Sequence, residues 1–236
     1  MLKRIAPTEL VEAYPVLAAE SPARAAVRGN LGSGLRPAEL ERVRLPEPQA
    51  PAAWTVPGLA GPRCAPELEG IVVGYRDARA YWPTGAADGP PRCFAPDAEE
   101  GRGTPGGPCE ACPLAQFGSA PDGRGQACRA CRRLWVLLPG RAVPVSVTLP
   151  PASLGAARRY FVRLAGAGLA YWAAVTRIGL AAAVRADGTG YRRATFRCAA
   201  RLECAAARLV DAYRTAVFGQ GEERAPGEAQ AHSERN

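Results

Sequence analysis

Residues 83–131 hold a single large aliphatic side chain, Leu114, against nine glycines and five cysteines. Such a stretch cannot bury a core of its own, and structureless loops beyond about 12–15 residues are uncommon inside compact domains. Something other than apolar packing has to order it, and the cysteines are the residues able to do so. Cys109 and Cys112 form one C-x2-C pair, and fifteen residues later Cys128 and Cys131 form another. Zn²⁺ takes four soft ligands in a tetrahedron, and a C-x2-C turn offers it two thiolates without strain. The spacing predicts a zinc ribbon, with Pro113, Gly118, Gly123 and Gly125 turning the loop back and Arg129, Arg132 and Arg133 balancing the tetrathiolate charge. Cys93, in PPRCFAPDAEEG, is a fifth candidate, so residue spacing leaves the choice of four open. Cys64, Cys198 and Cys204 have no partner spacing, and Cys198 and Cys204 are expected to be small buried hydrophobes.

The alternative to a metal is a disulfide. The first residues, MLKRIAPTELVEAYP, lack the apolar run of a secretory signal. No apolar segment reaches the ~18 residues of a membrane span. A cytoplasmic location is expected, where thiols stay reduced and clustered cysteines favour metal.

Charge is unevenly spread. Residues 121–220 carry 16 arginines against four acidic residues, a local balance of +12, while the rest of the chain has 14 basic and 18 acidic side chains. A basic block in an otherwise near-neutral chain is the electrostatic footprint of a polyanion partner.

Residues 1–66 alternate Pro, Gly, Ala and charge without a sustained period and read as an extended, partly disordered arm. Residues 67–218 read as one domain containing a zinc-binding insertion at 83–132. It opens with LEGIVVGYRDARAYW, a long strand in which Gly74 invites a bulge. After the insertion, apolar runs 134–138 and 143–149 flank Pro139-Gly140 as a hairpin. A helix follows from Pro151, with Ser153 as a cap and Leu154, Ala157, Phe161 and Leu164 on one face. Two more strands lie in YWAAVTRIGLAAAVRADGTGYRRATFRC. A closing helix is predicted over 199–218, carrying Leu202, Leu209 and Val210 inward, and residues 219–236 read as a disordered tail. The expected class is mainly β with α (α+β). The order β-β-β-α-β-β, with a helix between the third and fourth strands, is that of an OB-fold, a small five-stranded barrel that binds oligonucleotides.

Catalytic constellations are absent. The only histidine, His232, lies in the tail, and PCEAC at 108–112 has no upstream HxE or CxE element of a zinc deaminase. No P-loop, GxSxG or carboxylate triad is present. The expectation is a binding module, not an enzyme.

LEGIVVGYRDARAYW, CEACPLAQFGSAPDGRGQACRACRRLWVL, VPVSVTLPPASLGAARRYFVRL and AVTRIGL, with NLGSGLRPAELERVRLP and WTVPGL upstream, resemble a largely uncharacterised family of bacteriophage and mobile-element proteins. Its recurring pattern is ELEGVI…RAYW, CxxCPxxxFGS…GKACK…RRL and LPPTSL…Y, and the resemblance spans residues 30 to about 198. It implies single-stranded-DNA binding by an OB-like domain with a structural zinc insertion, in phage or mobile-element replication or recombination, and partners drawn from those processes. In that pattern the cysteine of ACK corresponds to Cys128 and the position of Cys131 is often not cysteine. The resemblance therefore implies Cys93, Cys109, Cys112 and Cys128 as ligands, with Cys131 the alternative fourth.

Sequence-independent single-strand binding, to DNA or RNA, combines a basic groove with aromatic platforms. Candidates are Tyr75 with Arg76, Arg79 with Tyr81 and Trp82, Arg129, Arg132 and Arg133 with Trp135, Trp172 with Arg177, and Tyr191 with Arg192 and Arg193. The competing reading is a zinc-ribbon adaptor or transcription-type factor that binds duplex DNA or a protein partner.

Overall fold

The computed structural model describes residues 2–32, 35–46, 50–83, 90–184 and 188–218. The tail over 219–236 lies outside them. Along the arm run β1 (Lys3–Ile5), α1 (Pro7–Ala13), α2 (Pro22–Leu31), β2 (Arg42–Val43), β3 (Trp54–Val56) and β4 (Arg63–Ala65). Then come β5 (Leu68–Tyr81), and in the cysteine-rich segment β6 (Cys93–Ala95), β7 (Glu100–Gly103) and β8 (Gly107–Pro108). The remaining elements are β9 (Cys128–Leu137), β10 (Val145–Leu149), α3 (Pro151–Gly166), β11 (Ala174–Val184), β12 (Gly190–Leu202) and α4 (Cys204–Phe218). The class is α+β, built on one large mixed sheet.

β5 is the spine of that sheet. Its β-branched residues favour an extended chain, and it pairs antiparallel with β9 along its length and with β11 over Leu68–Ile71. The register shifts between Val72 and Gly74. A Cβ at Gly74 would stand 2.2 Å from the Trp135 ring, so glycine lets the indole lie against the backbone at the bulge. β9 and β10 form the hairpin expected around Pro139-Gly140, and β11 and β12 pair antiparallel.

The closed five-stranded barrel is corrected. Closure would require β10 to pair with β12, and instead each of these edges takes a strand from the arm. β2 runs parallel to β10 through Arg42 and Val43, and β1 runs parallel to β12 from Lys3 to Ile5. Pairing an edge removes the exposed row of backbone donors and acceptors that closure would otherwise have satisfied.

The described residues of the arm form short helices and strands that pack on the sheet. They bury side chains on both faces of the sheet. On one face Leu10, Tyr14, Val16, Leu17 and Leu40 join Ile71, Val73, Trp135 and Leu137 beneath α4 residues Ala206, Val210 and Tyr213. On the other, Trp54 and Val56 join Val72, Leu134, Val136, Val147 and Ile178 with Ala157 of α3. The Trp54 Nε1–H donates to the Ile178 carbonyl at 3.0 Å, so its polar edge is satisfied inside the core.

Two helix expectations change. α3 begins after Pro150 with no side-chain cap; Ser153 is buried and its Oγ accepts from the Ala194 N–H at 2.9 Å, tying helix to sheet. The closing helix starts at Cys204, because residues 199–202 continue β12. Leu202 still points inward, from the strand. Arg158, Arg159 and Arg163 are exposed, as the helical period requires.

Candidate metal centre and nucleic-acid interface

Tyr81, at the end of β5, has Cys93 of β6 opposite it on one side and Cys128 of β9 on the other. Residues directly opposite in antiparallel strands share a face, so both thiols project to the same side of the sheet. Cys109 and Cys112 come from a turn, in which the Cys112 N–H donates to the Cys109 carbonyl at 3.3 Å while the Cys109 N–H is anchored on the Glu99 carbonyl at 2.8 Å. The result is a small cavity lined by Cys93, Cys109, Cys112 and Cys128, with Tyr81, Leu114 and glycines completing its wall. Its free space is about 10 Å³, the room of roughly one water-sized sphere. Gly101 leaves space for the Cys93 thiol, since a Cβ there would stand 2.9 Å from its Sγ.

Burial pushes the Cys109 and Cys128 thiols up, Arg79 opposes that shift, and the neighbouring thiols of the same group add to it. Arg79 is therefore the guanidinium facing the thiols, a part the sequence assigns to Arg129, Arg132 and Arg133. Among the described residues no three His, Cys, Asp or Glu side chains already stand in coordination geometry. The four thiols share a cavity without being drawn to one point. As a donor set they fit Zn²⁺: soft, four in number, from two strands and one turn, around a space too small for a substrate.

Cys131 does not line this cavity. It lies three residues beyond Cys128 in the same strand, and side chains an odd number of positions apart in a strand point to opposite faces. Burial pushes its thiol up to about 11. Cys64 and Cys204 are exposed and Cys198 is half-buried, so the expectation of a buried Cys204 is corrected: it opens α4 at the surface.

The proposed nucleic-acid residues divide by strand face. Arg76 lies opposite Arg133, Ala78 opposite Cys131 and Ala80 opposite Arg129; Trp82, just past the end of β5, lines a cleft with Arg129. No acidic residue occupies those rows of the β5–β9 ribbon. Arg129 is exposed, Arg133 donates to the Pro37 carbonyl at 3.2 Å, and Arg76 lies near Asp97. Burial raises the Asp97 carboxyl, but backbone N–H donors and Arg76 together bring it below its usual value.

The opposite face carries Tyr75, Arg79 and Tyr81. There Arg132 makes a bidentate pair with Asp77 at 2.6 and 2.7 Å and lies 4.7 Å over the Tyr75 ring. Tyr75 itself packs against Phe161 and Tyr171.

Two expected platforms, Trp135 and Trp172, and one expected arginine, Arg177, are used by the fold. Trp135 is buried and stacks on Phe218 with centroids 4.7 Å apart, so it is not a platform. Trp172 is half-buried beneath the Arg214 guanidinium at 4.1 Å. Arg177 pairs with Glu69, beside an Arg197–Glu67 pair of 2.8 Å, which neutralises that end of the sheet. On β12, Arg192 donates to the Ala50 carbonyl at 3.0 Å, Tyr191 is half-exposed and Arg193 is exposed.

No family model matches the chain, and no curated protein or solved structure matches it. The reading of this site rests on its own geometry. No described helix is long and apolar enough to cross a membrane. Ser119 and Gln126 are not singled out by the sequence. Their signal was only proximity to the cysteines, and their role depends on where the loop folds back.

Proposed function

We propose that this chain is a single-stranded-DNA-binding protein, largely indifferent to sequence, in which Cys93, Cys109, Cys112 and Cys128 hold a structural Zn²⁺. When bound, the ion orders the segment between β5 and β9; with four thiolates around it no open coordination position is left for a substrate, and the chain binds without catalysing. The strand order β10-β9-β5-β11-β12, with α3 between β10 and β11, supports an opened OB-type arrangement. In such folds the ligand crosses the second and third strands and the loops joining the first to the second and the fourth to the fifth. Here the first of those loops is the cysteine segment. The resemblance to phage and mobile-element proteins supports a part in replication or recombination.

One observation carries the reading. Arg76, Arg129 and Arg133 share one face of the β5–β9 ribbon with no carboxylate in the rows between them, and Trp82, just past the end of β5, lines a cleft together with Arg129. A row of guanidinium groups beside an aromatic is what a single strand needs, phosphates pairing with arginine while bases stack. The test is anisotropy binding of the zinc-loaded protein to a single strand of ~30 nucleotides and to the matching duplex across a salt series. Tighter single-strand binding that weakens as salt rises is the expected result. Preference for duplex, or no binding to either, sinks it and turns attention to an adaptor role.

A further inference from the structure

Tyr81 and Leu114 line both the four-thiol cavity and a second, larger cleft of about 450 Å³. This cleft lies between the end of β5, which supplies Tyr81 and Trp82, and the glycine-rich loop, which supplies Ser119 and Gln126; Arg129 of β9 completes it. Its volume falls within the range of small-ligand pockets, the scale of a nucleoside and not of a folded partner.

The loop wall is braced from within. The Ser119 hydroxyl donates to the Leu114 and Gln116 carbonyls at 2.9 and 2.7 Å and accepts from the Ala127 N–H at 3.0 Å. The Gln126 carboxamide oxygen is held by Arg79 at 3.3 Å, which leaves its amino group as a donor toward the edge of a base. Among the described residues no acidic side chain lines the cleft, and Arg129 stands at it with Arg79 beside it. Aromatic faces, a carboxamide donor and local positive charge together select a flat, hydrogen-bonding, anion-linked ligand.

We infer that this cleft receives one unstacked nucleobase of a bound single strand. Trp82 supplies the π face, Gln126 a base-edge donor and Arg129 the contact to the adjoining phosphate. The inference rests on the single-strand reading above and adds a specific base-holding site to it. A base leaving its stack gives up little in a flexible single strand and regains a stacking contact on an aromatic platform.

The test compares two polymers on the full-length, zinc-loaded protein: an oligothymidylate of ~20 nucleotides, and an oligomer of equal length whose sugars carry no bases. Trp82→Ala is expected to weaken oligothymidylate binding about tenfold and to leave affinity for the base-free polymer unchanged. Trp82→Phe keeps a π face and should retain most of the affinity. Arg129→Ala should weaken both polymers. If Trp82→Ala binds oligothymidylate like wild type, or loses equally on both polymers, the cleft is not a base site. Equal wild-type affinity for the two polymers overturns it without any variant. Those outcomes leave the parent reading standing, whereas a wild type that prefers the duplex removes the single-strand reading itself.

Discussion

Cys128 and Cys131 have the same C-x2-C spacing as Cys109 and Cys112, but only the second pair lies in a turn. In an extended strand that spacing sends the two thiols to opposite faces, so Cys128 joins Cys93 and Cys131 does not. Zinc content of purified single variants should follow this division. Cys93→Ser, Cys109→Ser, Cys112→Ser and Cys128→Ser are expected to lose metal, while Cys131→Ser keeps a full equivalent; loss in Cys131→Ser with retention in Cys93→Ser would reverse the assignment. The Cys131 thiol, pushed up to about 11 by burial, stays protonated through neutral pH. Its reactive thiolate is then on the order of a thousandth of the total at pH ~8. Iodoacetamide at that pH should label the exposed Cys64 and Cys204 well before Cys131, and raising the pH toward its pKa should close the gap. Mass-spectrometric mapping of the labelled sites checks both statements.

Within β5 a single glycine decides how the strand bends. Gly74 sits at the register shift with the Trp135 ring against its backbone. Gly74→Ala has to displace that ring, and overpacking of this kind typically costs about 1–3 kcal/mol. The change should appear as a lower midpoint in chemical denaturation, with zinc content intact; an unchanged midpoint would mean the bulge has slack that its geometry does not show. Trp135→Ala is expected to cost more, about 3–5 kcal/mol, as large aromatic deletions in cores do. Any loss of DNA affinity in that variant belongs to the fold and not to a lost platform. The α3–β12 junction behaves differently, since Ser153 holds the Ala194 N–H. Ser153→Ala leaves a buried donor without its partner, at about 1–3 kcal/mol. These positions explain why the strands and α3 were legible from period and turn residues while their packing was not. Ser153 has the residue type of a cap, and only its neighbour in β12 shows that it serves the sheet.

Across the whole molecule the arm is part of the fold. Leu10, Tyr14, Val16, Leu17, Leu40, Trp54 and Val56 are buried against the sheet. At about 1.5–3 kcal/mol for each large buried side chain, their sum reaches the ~5–15 kcal/mol by which ordinary domains are stable. Deleting residues 1–66 also strips β1 and β2 from the edges of β12 and β10. The truncated chain should bind a hydrophobic dye and lose its cooperative thermal transition. A sharp transition near that of the full chain would show that residues 67–218 fold alone. The arginine block is likewise distributed at this scale. Arg132, Arg177, Arg197 and Arg214 make salt bridges within the fold, so its +12 balance overstates the charge available to a polyanion.

By itself the sequence determined the features that depend on local chemistry. The cysteine segment needs an ordering agent because its one large aliphatic residue, Leu114, is too little to form a core. The long strand with its bulge at Gly74, the hairpin over Pro139-Gly140 and the arginines of α3 facing solvent follow from period and turn residues. The tertiary structure decided everything that depends on which strands meet. Pairing across β6, β5 and β9 aligns Cys93, Tyr81 and Cys128 in one row, although Cys93 and Cys128 are far apart in the chain. Pairing of β1 and β2 to the sheet edges keeps the barrel open. Burial turns Trp135 from a candidate platform into core. Contacts distant in sequence leave no periodic trace, because each short arm segment is shaped to the sheet it covers and not to its own neighbours along the chain.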